Sequence, residues 1–186
     1  MVEASESVVF KCTDGKEVNV PVILAQDKFG ENFKKMINEA NGQPVEVPKI
    51  SEETMKQVVE WCDNFKEDGK VPHIIEPPLC HSDLKMVIDE WSANWINAIG
   101  DDEEKTKIFR LIEAAVYLDI VPLEKLAGAK IASKVRLMSV KQIRQYFGIV
   151  NDFTPEEEAA IEKEERWTEA TFYNVEEEKK EEEKKD

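Results

Sequence analysis

The chain has 186 residues, 25 Lys and Arg against 40 Asp and Glu, and a formal charge of −15. Such a charge repels phosphate backbones and anionic headgroups, so it argues against nucleic acid and membrane partners and favours basic protein surfaces. With no apolar run long enough to span a bilayer and no signal-like start, the sequence reads as a soluble intracellular protein of one domain with a real core.

The elements follow in chain order. Val8, Phe10 and Cys12 alternate with Val9 and Lys11, Asp14-Gly15 is a turn signal, and Val18, Val20 and Val22 alternate again, which predicts a β-hairpin. Phe29, Phe33, Met36, Ile37 and Ala40 share one face of a helix that stops at Asn41-Gly42. A third short strand is expected at Val45 to Val47, fenced by Pro44 and Pro48. Ser51 then caps a helix whose apolar stripe is Met55, Val58, Val59, Cys62 and Phe65. From Lys66 to His81 the chain holds Gly69, Pro72, Pro77 and Pro78 with no sustained period, so a surface loop is expected. Ile88, Trp91 and Trp95 fit one helix, and Ile108, Leu111, Ile112 and Ala115 fit another whose first turn is made acidic by Asp101 to Glu104. Pro122 opens the next, with Leu123, Leu126, Ala127, Ile131 and Val135 along one face. A small three-stranded sheet followed by helices is an α+β arrangement.

The C-terminal part is the most constrained. Ser139 is an N-cap, Val140, Ile143, Tyr146 and Phe147 repeat at helical spacing, and Gly148 offers a left-handed stop. A second helix starts at once: Thr154 caps it, Pro155 takes the first helical position, and Glu157 stands where a capping box requires it. Two such short helices cannot bury Ile149, Phe153 and Trp167 among themselves, so these side chains pack on something else, a partner being one candidate. Residues 156–186 hold fourteen acids against six bases. After Val175 almost only Glu, Lys and Asp remain, which reads as a disordered or solvated helical tail, or as one that steers partners by charge.

Catalytic chemistry is missing. Cys12, Cys62 and Cys80 are odd in number at unrelated spacings, so they read as reduced core thiols rather than a disulfide framework. His73 and Cys80-His81 share the Pro-rich loop without a fourth ligand or a zinc spacing, so no metal and no cofactor are expected. There is no Gly-rich phosphate loop and no Gly-x-Ser-x-Gly elbow, and the many carboxylate pairs are those of a very acidic chain. Aromatic side chains are more informative as interface anchors: Trp91, Trp95, Phe147, Phe153 and Trp167 are the candidates, although Trp91 and Phe147 fit a core equally well.

The run Ile143-Arg144-x-x-Phe147-x-Ile149-x-Asn151-Asp152-Phe153-Thr154-Pro155-Glu156-Glu157-Glu158, with Trp167 after it, resembles the C-terminal part of the Skp family, the adaptor subunits of Skp–cullin–F-box ubiquitin ligases. Glu113-Ala114-Ala115-Val116-Tyr117-Leu118-Asp119-Ile120, Val59-Glu60-Trp61-Cys62, Pro44 to Pro48 and Thr13-Asp14-Gly15 support it, so the likeness covers residues 7 to 167. The resemblance implies a BTB/POZ domain over residues 1–134 with a loop at 66–83, F-box-binding helices over 135–168, and an acidic tail over 169–186. It implies a non-enzymatic adaptor in the cytoplasm and nucleus, linking F-box proteins to a cullin N-terminal domain, with a homodimer as the alternative state when no F-box protein is bound.

The resemblance further implies that Trp95, Ile131, Ile143, Phe147, Ile149, Asn151, Phe153 and Trp167 face an F-box, with Asp152 and Glu156 on the rim. It places Val116 and Tyr117 at the cullin contact. There the chain departs from the family, which usually has Asn-Tyr: Val116 removes an amide donor and acceptor, a change worth roughly 1 to 3 kcal/mol at a buried contact. Val140 replaces the usual proline before Lys141, and Gly128-Ala129 stands where Cys-Lys is common. These departures mark a divergent paralogue. They also frame the alternative of a cullin-independent scaffold protein that self-assembles or binds F-box proteins only.

Overall fold

A computed structural model describes residues 7–65, 72, 75, 76, 79–99, 105–136, 138–161 and 163. Period-2 alternation builds its sheet. Strands β1 (Ser7–Cys12) and β2 (Glu17–Pro21) pair antiparallel with Val8 opposite Val20 and Phe10 opposite Val18, so that every second side chain is buried. Gly15, at φ +74°, supplies the left-handed residue the turn needs. Strand β3 (Val45–Val47) joins β1 in parallel register, Phe10 beside Val45 and Cys12 beside Val47, which makes β1 the central strand. The fold is α+β.

Alternation through Val22 predicts a longer second strand, but the chain turns there into α1 (Val22–Lys28). Pro21 has no N–H for the ladder, so the strand ends on it and its fixed φ leads into the helix. The helix expected from Phe29 begins later, as α2 (Glu31–Glu39), and Met36 on its expected apolar face is exposed. Phe29 belongs to the corner between the two helices, its ring 5.9 Å from Phe10 and 6.3 Å from Phe33. Gly30 donates to the Leu118 carbonyl at 2.8 Å, and a Cβ on it would collide with the Asp119 side chain, so only glycine permits this approach.

Ser51 caps α3 (Glu52–Asn64) by accepting from the Thr54 N–H, and Met55, Val58, Trp61 and Cys62 are buried on its inner face. Its start is tied to the hairpin: Asp14 accepts from the Glu52 N–H at 3.3 Å, and Glu52 takes Lys16 and Lys56 at 2.5 and 2.7 Å. A short 3-10 turn at Leu84–Met86 precedes α4 (Glu90–Ile99). The central helix α5 (Lys105–Tyr117) buries Ile108, Leu111, Ala114 and Ala115 at helical spacing. Each fully buried side chain the size of Leu111 contributes about 1.5–3 kcal/mol by leaving water. Helix α6 (Val121–Val135) carries Pro122 in its first turn and buries Leu123, Leu126 and Ala127, while Ile131 and Val135 are half-buried.

Two of the three thiols fit the expectation of buried cysteines. Cys12 and Cys62 are buried on β1 and α3, whereas Cys80, in a stretch over residues 79–81 that is neither helix nor strand, is exposed. Burial pushes the Cys62 thiol up to about 12 and raises that of Cys12, with Asp14 and Glu52 adding to the latter. Most of the Pro-rich loop and the acidic residues 101–104 lie outside the described residues. The chain divides into two compact units, residues 1–138 and 139–186. Among the described residues no helix is long and apolar enough to cross a membrane.

Candidate protein-binding surface

The second unit is built around a helix that buries nothing. In α7 (Val140–Phe147) the Ser139 side chain accepts from the Gln142 N–H at 3.3 Å while Gln142 takes the Ser139 N–H at 2.8 Å, a complete capping box. At the other end Gly148 sits at φ +69°, and the Ile149 N–H returns to the Arg144 carbonyl at 2.8 Å. Both ends are satisfied locally, so the helix is defined without a tertiary cover. It is strongly amphipathic, yet none of its residues is buried.

Arg144 organises the linker beyond the helix. Its Nη1 donates to Glu158 Oε1 at 3.2 Å, and its guanidinium lies 5.1 Å from the centre of the Phe153 ring. Asn151 Nδ2 donates to the same Glu158 oxygen at 3.1 Å, and Asn151 Oδ1 accepts from the Phe153 N–H at 3.4 Å. Thr154 and Glu157 form the expected reciprocal cap for a helix over residues 155–161, which we label α8. The hydrogen bond from the Thr154 N–H, and then that from its hydroxyl, hold the Glu157 carboxyl below its ordinary range. The linker between α7 and α8 is thereby pinned at Asn151, Phe153 and Thr154.

This scaffold presents apolar side chains outward. Ile149 is 56% exposed, Val150 83%, Phe153 44% and Phe147 42%. Beside them runs a groove of about 670 Å³ lined by Val140, Lys141, Arg144, Ile149, Asn151 and Ile161, among others. Four large apolar groups clustered in one short stretch of so acidic a chain form the kind of patch that marks a protein-binding surface.

Of the residues singled out from sequence, Ile143, Phe147, Ile149, Asn151 and Phe153 come together in this unit, Ile143 half-buried and the others exposed. Asp152 and Glu156 are exposed beside them. Trp167 lies outside the described residues. Trp95 departs from the expected exposed anchor: it is 8% exposed in the core of the first unit, its ring stacked 5.9 Å from that of Trp91. It lies on the inner side of α4, where Ser92, Ala93, Ile96 and Ile99 are buried with it, while Trp91 stands at the surface and meets Phe65 edge-on. Ile131 is half-buried against the same core. Val116 is 55% exposed, and Tyr117 is half-buried with its ring 5.1 Å from Phe33 and the Lys49 ammonium 5.5 Å from its centre.

Sequence reasoning does not single out Arg144 or Val150 as site residues. Arg144 could have been found from its place in the last turn of α7, where a cation meets the helix dipole and lies within reach of the acids that open α8. Val150 carries no such signal, since only the turn at Gly148 directs it outward. No group of three or more His, Cys, Asp or Glu side chains able to hold a metal occurs among the described residues. His81 accepts from the Asp83 N–H through Nδ1 at 3.1 Å, Cys80 is exposed, and His73 lies outside the described residues.

Residues 122–168 match the family model described as Skp1 family, dimerisation domain. The chain is 37% identical over 143 residues to an S-phase kinase-associated protein 1 homolog of Tetrahymena thermophila, covering 76% of this chain and 82% of that protein. The chain belongs to the Skp1 family. Further relatives of the Skp1 family are named E3 ubiquitin ligase complex SCF subunit sconC. Those of Aspergillus flavus and Arthroderma benhamiae are each 32% identical over 168 residues, 89% of this chain and 98% and 97% of theirs. The Skp1 family model covers all of α7, the linker and α8, so the exposed apolar patch lies in the segment that carries the family match.

Proposed function

We propose that this chain is a non-catalytic adaptor subunit of a Skp–cullin–F-box E3 ubiquitin ligase, with a BTB/POZ-type first unit and an F-box-binding second unit. The observation that carries the proposal is α7 with its linker: both ends are capped, no residue of α7 is buried, and Phe147, Ile149, Val150 and Phe153 face outward. An amphipathic F-box helix pair laid on this face covers those side chains, with Asp152 and Glu156 meeting basic F-box residues at the rim. Anchors of this kind contribute roughly 2 kcal/mol each when central and desolvated. The family resemblance assigns Trp167, which lies outside the described residues, to the same partner, and likewise Ile131 and Trp95 of the first unit.

The second partner is a cullin N-terminal domain docking at Tyr117 and Val116. The adaptor contributes proximity: holding substrate receptor and transfer machinery in one complex makes their encounter intramolecular, which requires no active site in the adaptor. A narrower reading is specifically favoured by Val116, whose exposed isopropyl group offers no hydrogen bond to a polar partner. On that reading the chain binds F-box proteins without a cullin, or self-assembles as a scaffold.

Affinity purification of the intact chain from cells, coupled to mass spectrometry, tests both. Recovery of F-box proteins together with a cullin supports the bridging adaptor. F-box proteins alone support the narrower reading, and recovery of neither overturns the proposal.

A further inference from the structure

Asn151 stands among the side chains that the family resemblance turns toward a partner, yet the structure commits both ends of its amide to its own unit. Nδ2 donates to Glu158 Oε1 at 3.1 Å, and Oδ1 accepts from the Phe153 N–H at 3.4 Å. A carboxylate only accepts and a backbone N–H only donates, so these two partners fix which way round the amide lies. One N–H and part of the acceptor capacity of Oδ1 are left over, but turning the amide to offer them elsewhere gives up both bonds.

The two bonds converge on the segment that presents Phe153. An N–H that donates to an asparagine two residues earlier closes an Asx turn, which sets the backbone direction through Asp152. Glu158 Oε1 also accepts from Arg144 Nη1 at 3.2 Å, and the Arg144 guanidinium lies 5.1 Å from the centre of the Phe153 ring. Glu158 is itself tied to the start of α8, since its N–H donates to the Thr154 carbonyl at 2.9 Å. One carboxylate oxygen therefore joins α7, the linker and α8, with Phe153 held at its backbone by Asn151 and at its ring by Arg144. Because Phe153 is 44% exposed, this polar network governs where its ring stands more than any packing around it.

From this geometry, and resting on the reading that the face takes F-box helices, we infer that Asn151 is a positioning residue that acts on the partner through Glu158 and Phe153 and is not itself an F-box contact. Without the network, the exposed linker samples directions in which the phenyl ring misses the partner. Apparent affinity then falls in proportion to the fraction of chains left in the competent conformation. A hydrogen bond of this kind biases a local equilibrium by a factor of about 3–10, so its loss weakens partner binding by about the same factor.

The test reverses the polarity of the pair. In Asn151→Asp the carboxylate still accepts from the Phe153 N–H but meets Glu158 as a like charge. Adding Glu158→Gln restores a donor opposite it and returns the net charge to that of the unaltered chain. The unaltered chain, each single variant and the double variant are titrated with a synthetic F-box helix-pair peptide, and amide exchange over residues 151–158 is followed without peptide. Asn151→Asp is expected to bind about 3- to 10-fold more weakly and to exchange faster. The double variant is expected to regain the original protection and to bind within about twofold of the unaltered chain. A group that touches the peptide is not repaired by a change at residue 158, so additive losses in the double variant overturn the inference, as does undiminished binding by Asn151→Asp. Peptide bound by none of the four chains defeats the F-box reading on its own. The exchange arm then still decides whether Asn151 holds Phe153: faster exchange in Asn151→Asp that the double variant reverses supports it, and equal exchange in all four chains overturns it.

Discussion

Arg144→Ala is the perturbation that asks most directly whether one side chain holds the second unit in shape. The arginine meets Glu158 at 3.2 Å and lies over the Phe153 ring at 5.1 Å, and its own side chain is 18% exposed against 43% for Glu158. A partly exposed pair of this kind contributes about 0.5–1 kcal/mol, and the cation–π contact a similar amount, so truncation costs about 1–2 kcal/mol. Alanine is the better helix former, and the Arg144 carbonyl still accepts from Ile149, so α7 and its C-terminal turn survive. Loosening is therefore confined to the linker and the start of α8. Native-state amide exchange should accelerate about 5- to 30-fold at residues 151–158 while residues 143–147 stay unchanged. Arg144→Lys, which keeps the charge without the planar fork, should recover only part of the protection. Unaltered exchange at residues 151–158 in Arg144→Ala would refute the role assigned to this side chain.

Glu52 has its carboxyl lowered to about 2 from an ordinary 4.5, first by the Lys16 hydrogen bond and then by that of Lys56. A folded value below the unfolded one means that the contribution to stability is fully present above about pH 4.5 and is lost as the pH falls towards 2. Urea titrations of the protein and Glu52→Gln should therefore differ near pH 6 and converge near pH 2, and a constant difference would show the pair to be inert. Thiol reactivity is also specified. With Cys12 and Cys62 buried and both thiols shifted upward, a water-soluble disulfide reagent near pH 8 should modify one thiol in the native chain, Cys80, and all three in urea. Rapid native labelling of Cys62 would contradict the packing of α3.

What the sequence disclosed was local, and what it withheld was not. The hairpin around Gly15, the Ser51 and Ser139 caps, the stop at Gly148 and the Thr154–Glu157 box each depend on residues within four positions of one another, and all are present. Helix α1 was hidden because Pro21 caps it without a side-chain hydrogen bond and Val22 continues the alternation of β2. The parallel pairing of β3 with β1 joins segments separated by α1 and α2, a distance at which residue pattern carries no register. From sequence Trp91 fits a core as well as an interface and Trp95 reads as an anchor, yet the packing of other elements buries Trp95 and leaves Trp91 at the surface. At the candidate surface, Ile149 and Phe153 were legible because two short helices have too little area to cover them. Arg144 was not legible as a clamp, since its role depends on Glu158 and Phe153 being brought to it by the turn at Gly148.

The central claim is that the apolar side chains of α7 and its linker await another polypeptide. Calorimetric titration of the intact chain with an F-box helix-pair peptide, set beside Phe153→Ala and Ile149→Asp, measures it most directly. Because these side chains are 44% and 56% exposed, both variants should keep the unfolding temperature within a few degrees while binding at least about tenfold more weakly. Undiminished binding in both variants, or a collapse of the fold showing that the two side chains are part of a core, would contradict the account.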